Sequence, residues 1–145
     1  MGYEHVLAAI DTSEDSVQVL EAAQKLARDN NASLSLITVV KPFLQVYGGI
    51  ETISIADIER QAMQQAKEKL EEHGKKLGLN PEDLYVTRGN PAVEIRNLCK
   101  ELNTGVIVIG THGRHGMGLM LIGSTANAVL HGTECDVMAI RIRDA

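Results

Sequence analysis

The chain is poor in aromatic residues and in basic charge. It has no tryptophan and a single phenylalanine, and its 19 acidic residues outnumber its 14 lysines and arginines, which gives a net charge of -5. Proteins that bind nucleic acid use a basic surface, and many add aromatic side chains that stack on the bases. Because both features are scarce here, we expect no nucleic-acid partner.

Long apolar runs are also lacking. No run approaches the ~20 residues of a membrane-spanning helix. The N-terminal segment "MGYEHVLAAID" lacks the basic region and apolar core of a signal peptide and leads directly into a predicted strand. We therefore expect a cytoplasmic protein with no membrane partner.

Cysteine is scarce too. Cys99 and Cys135 are the only cysteines and lie far apart in sequence, so the chain offers no disulfide framework. Cys99 falls on a predicted helix stripe and is expected in the core. Cys135 opens a predicted strand and could be exposed and redox-active, but no basic neighbour in the sequence would lower its pKa, and we favour burial.

The residues that are present suit one globular domain, residues 1–145. The 44% hydrophobic content is enough for an ordinary core in a chain of 145 residues. Short apolar segments predict five strands, at 4–10, 32–40, 83–89, 105–110 and 135–142. A loop is expected over 41–54.

Helical patterns separate the predicted strands. The first helix has Ser13 as its expected N-cap and ends at Asn30 and Asn31. The second runs from Ile55 to Gly74 or Gly78, the third starts at Pro91 after the N-cap Asn90, and the fourth covers 124–132. The predicted buried stripes are Val17, Leu20, Ala23 and Ala27; Ile55, Ile58, Ala62, Ala66 and Leu70; and Ala92, Ile95, Leu98 or Cys99, and Leu102. The alternation predicts a single α/β domain whose parallel sheet has helices on both faces.

In such a sheet, ligands bind beyond the carboxyl ends of the strands, where the strand order reverses. The residues that follow the first, second and fourth strands are Asp11, Val39 to Lys41, and Gly110 onward. These residues are the candidates for a ligand site.

A glycine-rich segment, "GTHGRHGMGLMLIGST", follows the fourth strand. It is neither a Walker loop, since no Gly-Lys-Ser or Gly-Lys-Thr occurs, nor the dinucleotide fingerprint, since Leu121 stands where the third glycine should be. Gly110 and Gly113 could bring the backbone close to a ligand. Gly123 would open a helix whose first N–H groups, at Ser124 and Thr125, face an anion, and Arg114 would add a positive charge. The spacing therefore predicts a phosphate site.

Other interpretations of these residues remain open. Capping of the first helix could be the whole role of Asp11, and the glycine segment could be a surface loop. Lys41 could reach a phosphate or only solvate a loop end. His112, His115 and His131, with Cys135, could suggest a metal, although a zinc site needs closely set and fixed ligands.

The G-x-x-G, nine residues, G-[ST] spacing, with "AIDTSEDS" at the first strand end and "CDVMAIRI" at the terminus, resembles the ATP-binding branch of the universal stress protein family. The resemblance covers essentially the whole chain. It implies a Rossmann-like sheet of order 3-2-1-4-5, ATP in the crevice, and a homodimer formed by pairing of the last strands.

Carried over by position, the resemblance implies that Asp11 lies at the nucleotide and its Mg²⁺ and that the Val39 backbone holds the adenine. The ribose and phosphate cradle would be formed by Gly110, Gly113, Gly123, Ser124 and Thr125. Two departures are Ala9 and Asp136, where many members have proline. Ala9 would alter packing under the adenine, and Asp136 leaves the dimer geometry open.

The function that these features favour is a nucleotide-dependent regulatory dimer of the stress response that presents an altered surface to a protein partner. No catalytic residue is assigned, because no Gln or Glu is evidently placed to orient an attacking water and no second acid pairs with Asp11. The alternatives are a slow ATPase, a nucleotidyl transferase and a nucleotide-free dimeric adaptor. Of these, the nucleotidyl transferase would be expected to have an H-x-G-H signature where the chain has "TSED".

Overall fold

The computed structural model describes residues 2–11, 13–42, 55–111 and 124–143. Within these residues five strands alternate with four helices. The strands are β1 (His5–Ala9), β2 (Ser33–Val40), β3 (Leu84–Arg88), β4 (Val106–Gly110) and β5 (Asp136–Ile140), and the helices are α1 (Ser16–Asn30), α2 (Ile55–Leu77), α3 (Pro91–Glu101) and α4 (Ser124–Gly132). Most of the predicted loop, residues 43–54, lies outside the described residues.

All five strands join one parallel sheet, as the sequence predicted, and their order, β3-β2-β1-β4-β5, is the one that the family resemblance implied. The strand β1 is central because the chain first builds β2 and β3 on one side of it and then β4 and β5 on the other. Parallel sheets need helices on both faces, and the core is divided accordingly. Val6 and Val108 pack with α1 on one face, whereas Leu7 and Ile107 pack with α3 and α4 on the other.

The start of α1 differs from the prediction. The helix begins at Ser16, with Asp15 as its N-cap, and Ser13 lies in a preceding turn in which its carbonyl accepts the Ser16 N–H at 3.2 Å. The predicted N-cap at Ser13 is therefore wrong. Val17 was also wrongly predicted in the buried stripe, because it is 46% exposed. At about 100° per residue it lies to the side of the stripe formed by Ser16, Val19, Leu20, Ala23 and Ala27. The left-handed Asn31 (φ 54°) ends the helix as expected.

The helix α2 covers the outer part of the same face of the sheet. Ala66, Leu70 and Gly74 are its buried residues, and it ends at Leu77 before Gly78, whose φ of +74° is left-handed. Ile58 was predicted on the buried stripe but is 37% exposed, because it lies about 120° round the helix from Leu70, the centre of the buried face.

The start of α3 confirms the prediction. The Asn90 side chain accepts a hydrogen bond from the Val93 N–H at 3.1 Å, and Pro91 occupies the first helical position. The buried residues of α3 are Ala92, Ile95, Leu98 and Cys99. Leu102, predicted on the same stripe, is partly buried just after the helix end. No helix in the described part of the chain is long and apolar enough to cross a membrane.

Candidate functional site

A crevice lies at the carboxyl ends of β1, β2 and β4, where the sequence placed a ligand. Its cavity volume of about 380 Å³ is in the range of small-molecule sites. The lining has an apolar part and a polar part. The apolar part comprises Ala9, Ile10, Ile37, Val39, Pro91, Ile95, Ile109, Ala126 and Ile142, and the remainder comprises Asp11, Asp15, Ser16, Lys41, Gly110, Thr111 and Thr125.

The crevice exists because β2 runs further than β1. The last described backbone hydrogen bond from β1 to β2 joins Ile10 N–H to Ile37 O at 2.9 Å. Successive residues of a strand direct their backbone groups to opposite sides. Val40 O accepts from Gly89 N–H at 3.0 Å and so faces the β3 side. Val39, one residue earlier, therefore directs its N–H and C=O to the side where β1 has ended, which is the crevice.

Asp11 organises the turn that enters α1. One carboxylate oxygen, Oδ1, accepts hydrogen bonds from the Ser13 N–H at 2.9 Å, the Ser13 hydroxyl at 2.5 Å and the Ser16 hydroxyl at 3.1 Å. Ser16 also donates to the Asp11 backbone carbonyl at 2.6 Å. Asp11 nevertheless remains exposed at the crevice. The structure thus gives Asp11 a role in ordering the turn while leaving the residue accessible to a ligand.

A second carboxylate, Asp15, was missed as a site residue by the sequence reasoning. It lies four residues after Asp11 and lines the same cavity, as does Lys41. The available signal was its place in the acidic turn "TSEDS", directly before the predicted first helix. Mg²⁺ in nucleotide sites is held by one or two carboxylates together with phosphate oxygens, and Asp11 and Asp15 are two carboxylates that line this cavity.

Gly110 lies at the end of β4 and lines the crevice, and close packing also bears on its identity. Positive φ occurs among the described glycines at Gly78 and Gly89, not at Gly110. A Cβ on Gly110 would lie 3.0 Å from Ile142 Cδ1 and 3.2 Å from Val19 Cγ2. A side chain at Gly110 would therefore be crowded by α1 and by the segment after β5, and this packing favours a small residue there.

The N-terminus of α4 opens into the crevice. Ser124 is the first residue of this helix, as predicted, and Thr125 and Ala126 line the cavity. The first N–H groups of a helix have no intrahelical acceptor and attract anions. Of the other predicted site residues, Gly113, Arg114 and Gly123 lie outside the described residues, as do the candidate metal ligands His112 and His115. His131 is exposed near the end of α4.

The strand order and the place of the crevice define the class: an open Rossmann-like α/β protein with a ligand crevice between β1 and β4, where the order reverses. The sequence profile of the Universal stress protein family matches residues 2–141. The chain belongs to the universal stress protein family.

A curated relative agrees with this assignment, and two solved structures share the fold. The chain is 36% identical over 145 residues to Universal stress protein A homolog 1 of Coxiella burnetii, with 99% of this chain and 100% of the relative covered. The solved structure of UspA from Lactobacillus plantarum superposes with a TM-score of 0.79 at 20% identity, covering 97% of this chain and 99% of the other. A universal stress protein in complex with cAMP superposes with a TM-score of 0.63 at 21% identity, covering 99% and 100% of the two chains.

Proposed function

We propose that this protein binds ATP, with Mg²⁺, and acts as a nucleotide-dependent regulatory dimer in the cytoplasmic stress response. The observation that carries the proposal is the convergence, on one crevice, of the Val39 backbone, the Asp11 carboxylate and the N-terminus of α4. The Val39 backbone would bind the adenine edge, the Asp11 carboxylate would bind Mg²⁺, and the N-terminus of α4 would bind the phosphates.

The apolar part of the crevice suits the base. Val39 would offer its N–H and C=O to the adenine edge, while Ala9 and Ile95 supply apolar contact to the ring faces. The ribose would lie past Gly110, and the phosphates would meet the first N–H groups of α4 at Ser124 and Thr125.

The remaining polar groups suit the triphosphate and its metal. Gly113, Arg114 and Gly123 would complete the phosphate cradle, as the glycine spacing suggests. Bound Mg²⁺ would offset the phosphate charge, and Asp11 with Asp15 would hold it.

We infer that hydrolysis is slow and that ATP serves as a signal. Neither Gln nor Glu occurs among the described residues that line the crevice, and Gln65 lines the adjoining cavity that shares Asp11 and Val39 with it. We propose that Gln65 does not orient an attacking water. The presence of Asp15 adds a metal ligand without adding a base, because a carboxylate that binds Mg²⁺ is a poor proton acceptor. We expect turnover orders of magnitude below the roughly 1 to 1,000 s⁻¹ of typical enzymes.

The edge of the sheet supports the homodimer. Among the described strands β5 has a neighbour on one side only, β4. Thr111 N–H donates to Ile140 O at 2.9 Å, so Ile140 directs its backbone to β4 and Ala139 directs its own N–H to the free side. The Asp136 carboxylate accepts a hydrogen bond from the Tyr3 hydroxyl at 2.6 Å, and its N–H donates to Gly105 O. We propose that Val137 and Ala139 supply the backbone groups that pair with β5 of a second copy.

The test is a search for nucleotide in the purified protein, followed by calorimetric titration. Protein purified without added nucleotide is denatured, and the supernatant is analysed by mass spectrometry for ATP, ADP, AMP and cAMP. Emptied protein is then titrated with ATP in the presence and absence of Mg²⁺, and with cAMP. We expect ATP to bind and Mg²⁺ to strengthen it.

Two valine variants sharpen the titration. Gly123→Val places a branched side chain at the proposed cradle and should abolish ATP binding. Gly116→Val makes the same change in the interval between the cradle glycines and should cost much less affinity. Absence of ATP binding by the folded wild-type protein, or preferential binding of cAMP, would contradict the proposal.

A further inference from the structure

The two cysteines meet at the end of the sheet opposite the crevice. Cys99 lies on the last turn and a half of α3 and is 5% exposed, and Cys135 immediately precedes β5 and is half-buried. Their Sγ atoms are 2.8 Å apart although the residues are 36 positions apart in sequence. A disulfide bond has an S–S length near 2.05 Å, so bond formation needs a movement of under about 1 Å.

Topology explains the meeting. A crossover helix runs antiparallel to the strands, so α3 ends at the edge where the strands begin, and β5 starts at that same edge. Thr104 N–H donates to Cys99 O at 2.9 Å, which ties the helix end to the segment before β4. Asp136, next to Cys135, pairs in register with Val106, the first residue of β4. Both cysteines are thus fixed to the start of the same strand.

Thr133 orients the Cys135 side chain. Its Oγ1 accepts the Cys135 N–H at 3.3 Å, and it lies 3.1 Å from Cys135 Sγ and 3.9 Å from Cys99 Sγ. One hydroxyl therefore contacts both sulfur atoms and holds Cys135 against its neighbour. Such a fixed arrangement favours reaction between the two sulfurs over reaction with a second molecule.

The surroundings of the two sulfurs differ. Burial, with the neighbouring Cys135 thiol as a second cause, raises the pKa of the Cys99 thiol to about 12, so Cys99 stays protonated at neutral pH. Cys135 faces a surface cavity of about 600 Å³ that the pair helps to line, which is ample for a small oxidant. Reaction with an oxidant should therefore begin at the accessible sulfur, Cys135.

We propose that Cys99 and Cys135 form a reversible intramolecular disulfide and that hydrogen peroxide is a competent oxidant. In the first step the Cys135 thiolate attacks one peroxide oxygen, the O–O bond breaks, and protonation of the released hydroxide gives water and a Cys135 sulfenic acid. In the second step Cys99 sulfur attacks the sulfenic sulfur, the S–O bond breaks, and the Cys99 proton leaves with the hydroxide as a second water. Two thiols and one peroxide thus give one disulfide and two waters, and a dithiol reductant reverses the change.

Structural metal binding is the competing use of a thiol pair, and the described residues do not favour it. A zinc site needs four ligands, and no group of three or more His, Cys, Asp or Glu side chains placed to hold a metal ion occurs within the described ranges. Thr133 is the other polar side chain in contact with both sulfurs, and a threonine hydroxyl is not a usual zinc ligand.

The disulfide would fix the end of α3 to the start of β5. The helix α3 also supplies Pro91 and Ile95 to the crevice, and Ile95 lies one turn before Cys99. The bond therefore joins an element of the ligand crevice to the edge strand of the sheet. The proposal does not depend on nucleotide binding, because the two sulfurs contact each other directly at the end of the sheet opposite the crevice.

The test uses the folded wild-type protein and hydrogen peroxide. After treatment with a small excess of peroxide, remaining thiols are alkylated without denaturation and again after denaturation, and the intact mass is measured. We expect the loss of two hydrogen atoms, no alkylation at either cysteine, a peptide linking Cys99 to Cys135 in a non-reducing digest, and full reversal by dithiothreitol. Two alkylatable thiols after peroxide, or a linkage only between different chains, would overturn the proposal.

Two variants separate the roles of the cysteines. In Cys99→Ala the Cys135 sulfenic acid should persist and be trapped by dimedone. In Cys135→Ser peroxide should oxidise Cys99 at least about tenfold more slowly than it oxidises the wild-type pair, because the remaining thiol is buried and protonated. Equal oxidation rates in Cys135→Ser and the wild type would show that Cys99 reacts first and would contradict the mechanism. The wild-type measurement stands even if either variant folds poorly.

Discussion

A proline placed at Val39 tests how the crevice recognises a ligand, because the structure separates that residue from the strand ladder. Val39 directs its N–H to the side where β1 has ended, whereas Val40 directs its backbone to β3, where Val40 O accepts from Gly89 N–H at 3.0 Å. Proline removes an N–H and resembles valine in size. Val39→Pro should therefore remove a donor from the crevice, and Val40→Pro should remove a donor from the sheet.

The magnitudes follow from hydrogen-bond energetics. A single hydrogen bond contributes about 0.5–1.5 kcal/mol, so Val39→Pro should weaken ATP binding roughly 2- to 13-fold. Its free energy of unfolding should change by less than about 1 kcal/mol, since the end of β2 resembles an edge at this point. Val40→Pro leaves a β3 acceptor unpaired and should lower the free energy of unfolding by about 1–3 kcal/mol.

Calorimetric ATP titration and urea unfolding measure the two effects on the same samples. The reasoning fails if Val39→Pro lowers the urea midpoint as much as Val40→Pro, because the Val39 N–H would then belong to the ladder. It fails equally if Val39→Pro keeps the wild-type affinity for ATP while remaining folded, because the base would then not bind that N–H.

Three further predictions concern pH, oxidation and assembly. Burial lowers the pKa of His5 below its usual 6.5, so the unfolded chain binds the proton more readily than the folded chain. The free energy of unfolding, measured with urea, should therefore fall as the pH drops through about 6.5, and it should fall less in His5→Gln. An identical fall in the two proteins would exclude His5 as a contributor. A disulfide between Cys99 and Cys135, which are 36 positions apart, should raise the free energy of unfolding by about 4 kcal/mol, because it reduces the entropy of the unfolded chain. Urea unfolding of the oxidised protein with and without dithiothreitol measures the difference, and equal stability of the two forms would contradict the prediction. Ala139→Pro should weaken the dimer about tenfold or more in sedimentation experiments, whereas Ala139→Ser, which keeps the N–H, should not; a dimer unaffected by proline would place the interface elsewhere.

Much of the fold could be predicted from the sequence because its signals are local. Asn90 and Pro91 form a cap and a first helical residue whatever surrounds them, and Asn31 tolerates the left-handed conformation that ends α1. The strand order needed more than local signals. It came from the family resemblance, supported by the βα alternation, which limits the possible topologies.

The wrong predictions concern residues whose burial depends on how the helices pack against the sheet. Val17 and Ile58 fit a helical period as well as their buried neighbours do, and only the position of the sheet determines which side of each helix is covered. Gly110 lies in a glycine-rich context, and the side chains that would crowd a Cβ there, Val19 and Ile142, are remote in sequence. No local pattern contains that information.

The meeting of Cys99 and Cys135 was within reach of the predicted topology but was not inferred. One cysteine was placed near the end of a crossover helix and the other at the start of the next strand, and both positions fall at the amino edge of a parallel sheet. Burial and neighbouring charge describe each cysteine by itself and do not show that the two side chains are in contact.

The position of that pair has a topological consequence. Residues 99 and 135 bracket β4, the whole glycine segment and α4, so oxidation would turn this stretch of the 145-residue chain into a closed covalent ring. A single cut by a protease within the ring would then leave the polypeptide in one piece, and the two fragments would separate only after reduction. After exposure to oxidant, a proteolytic cut in the glycine segment would therefore not separate the two parts of the chain until the disulfide was reduced.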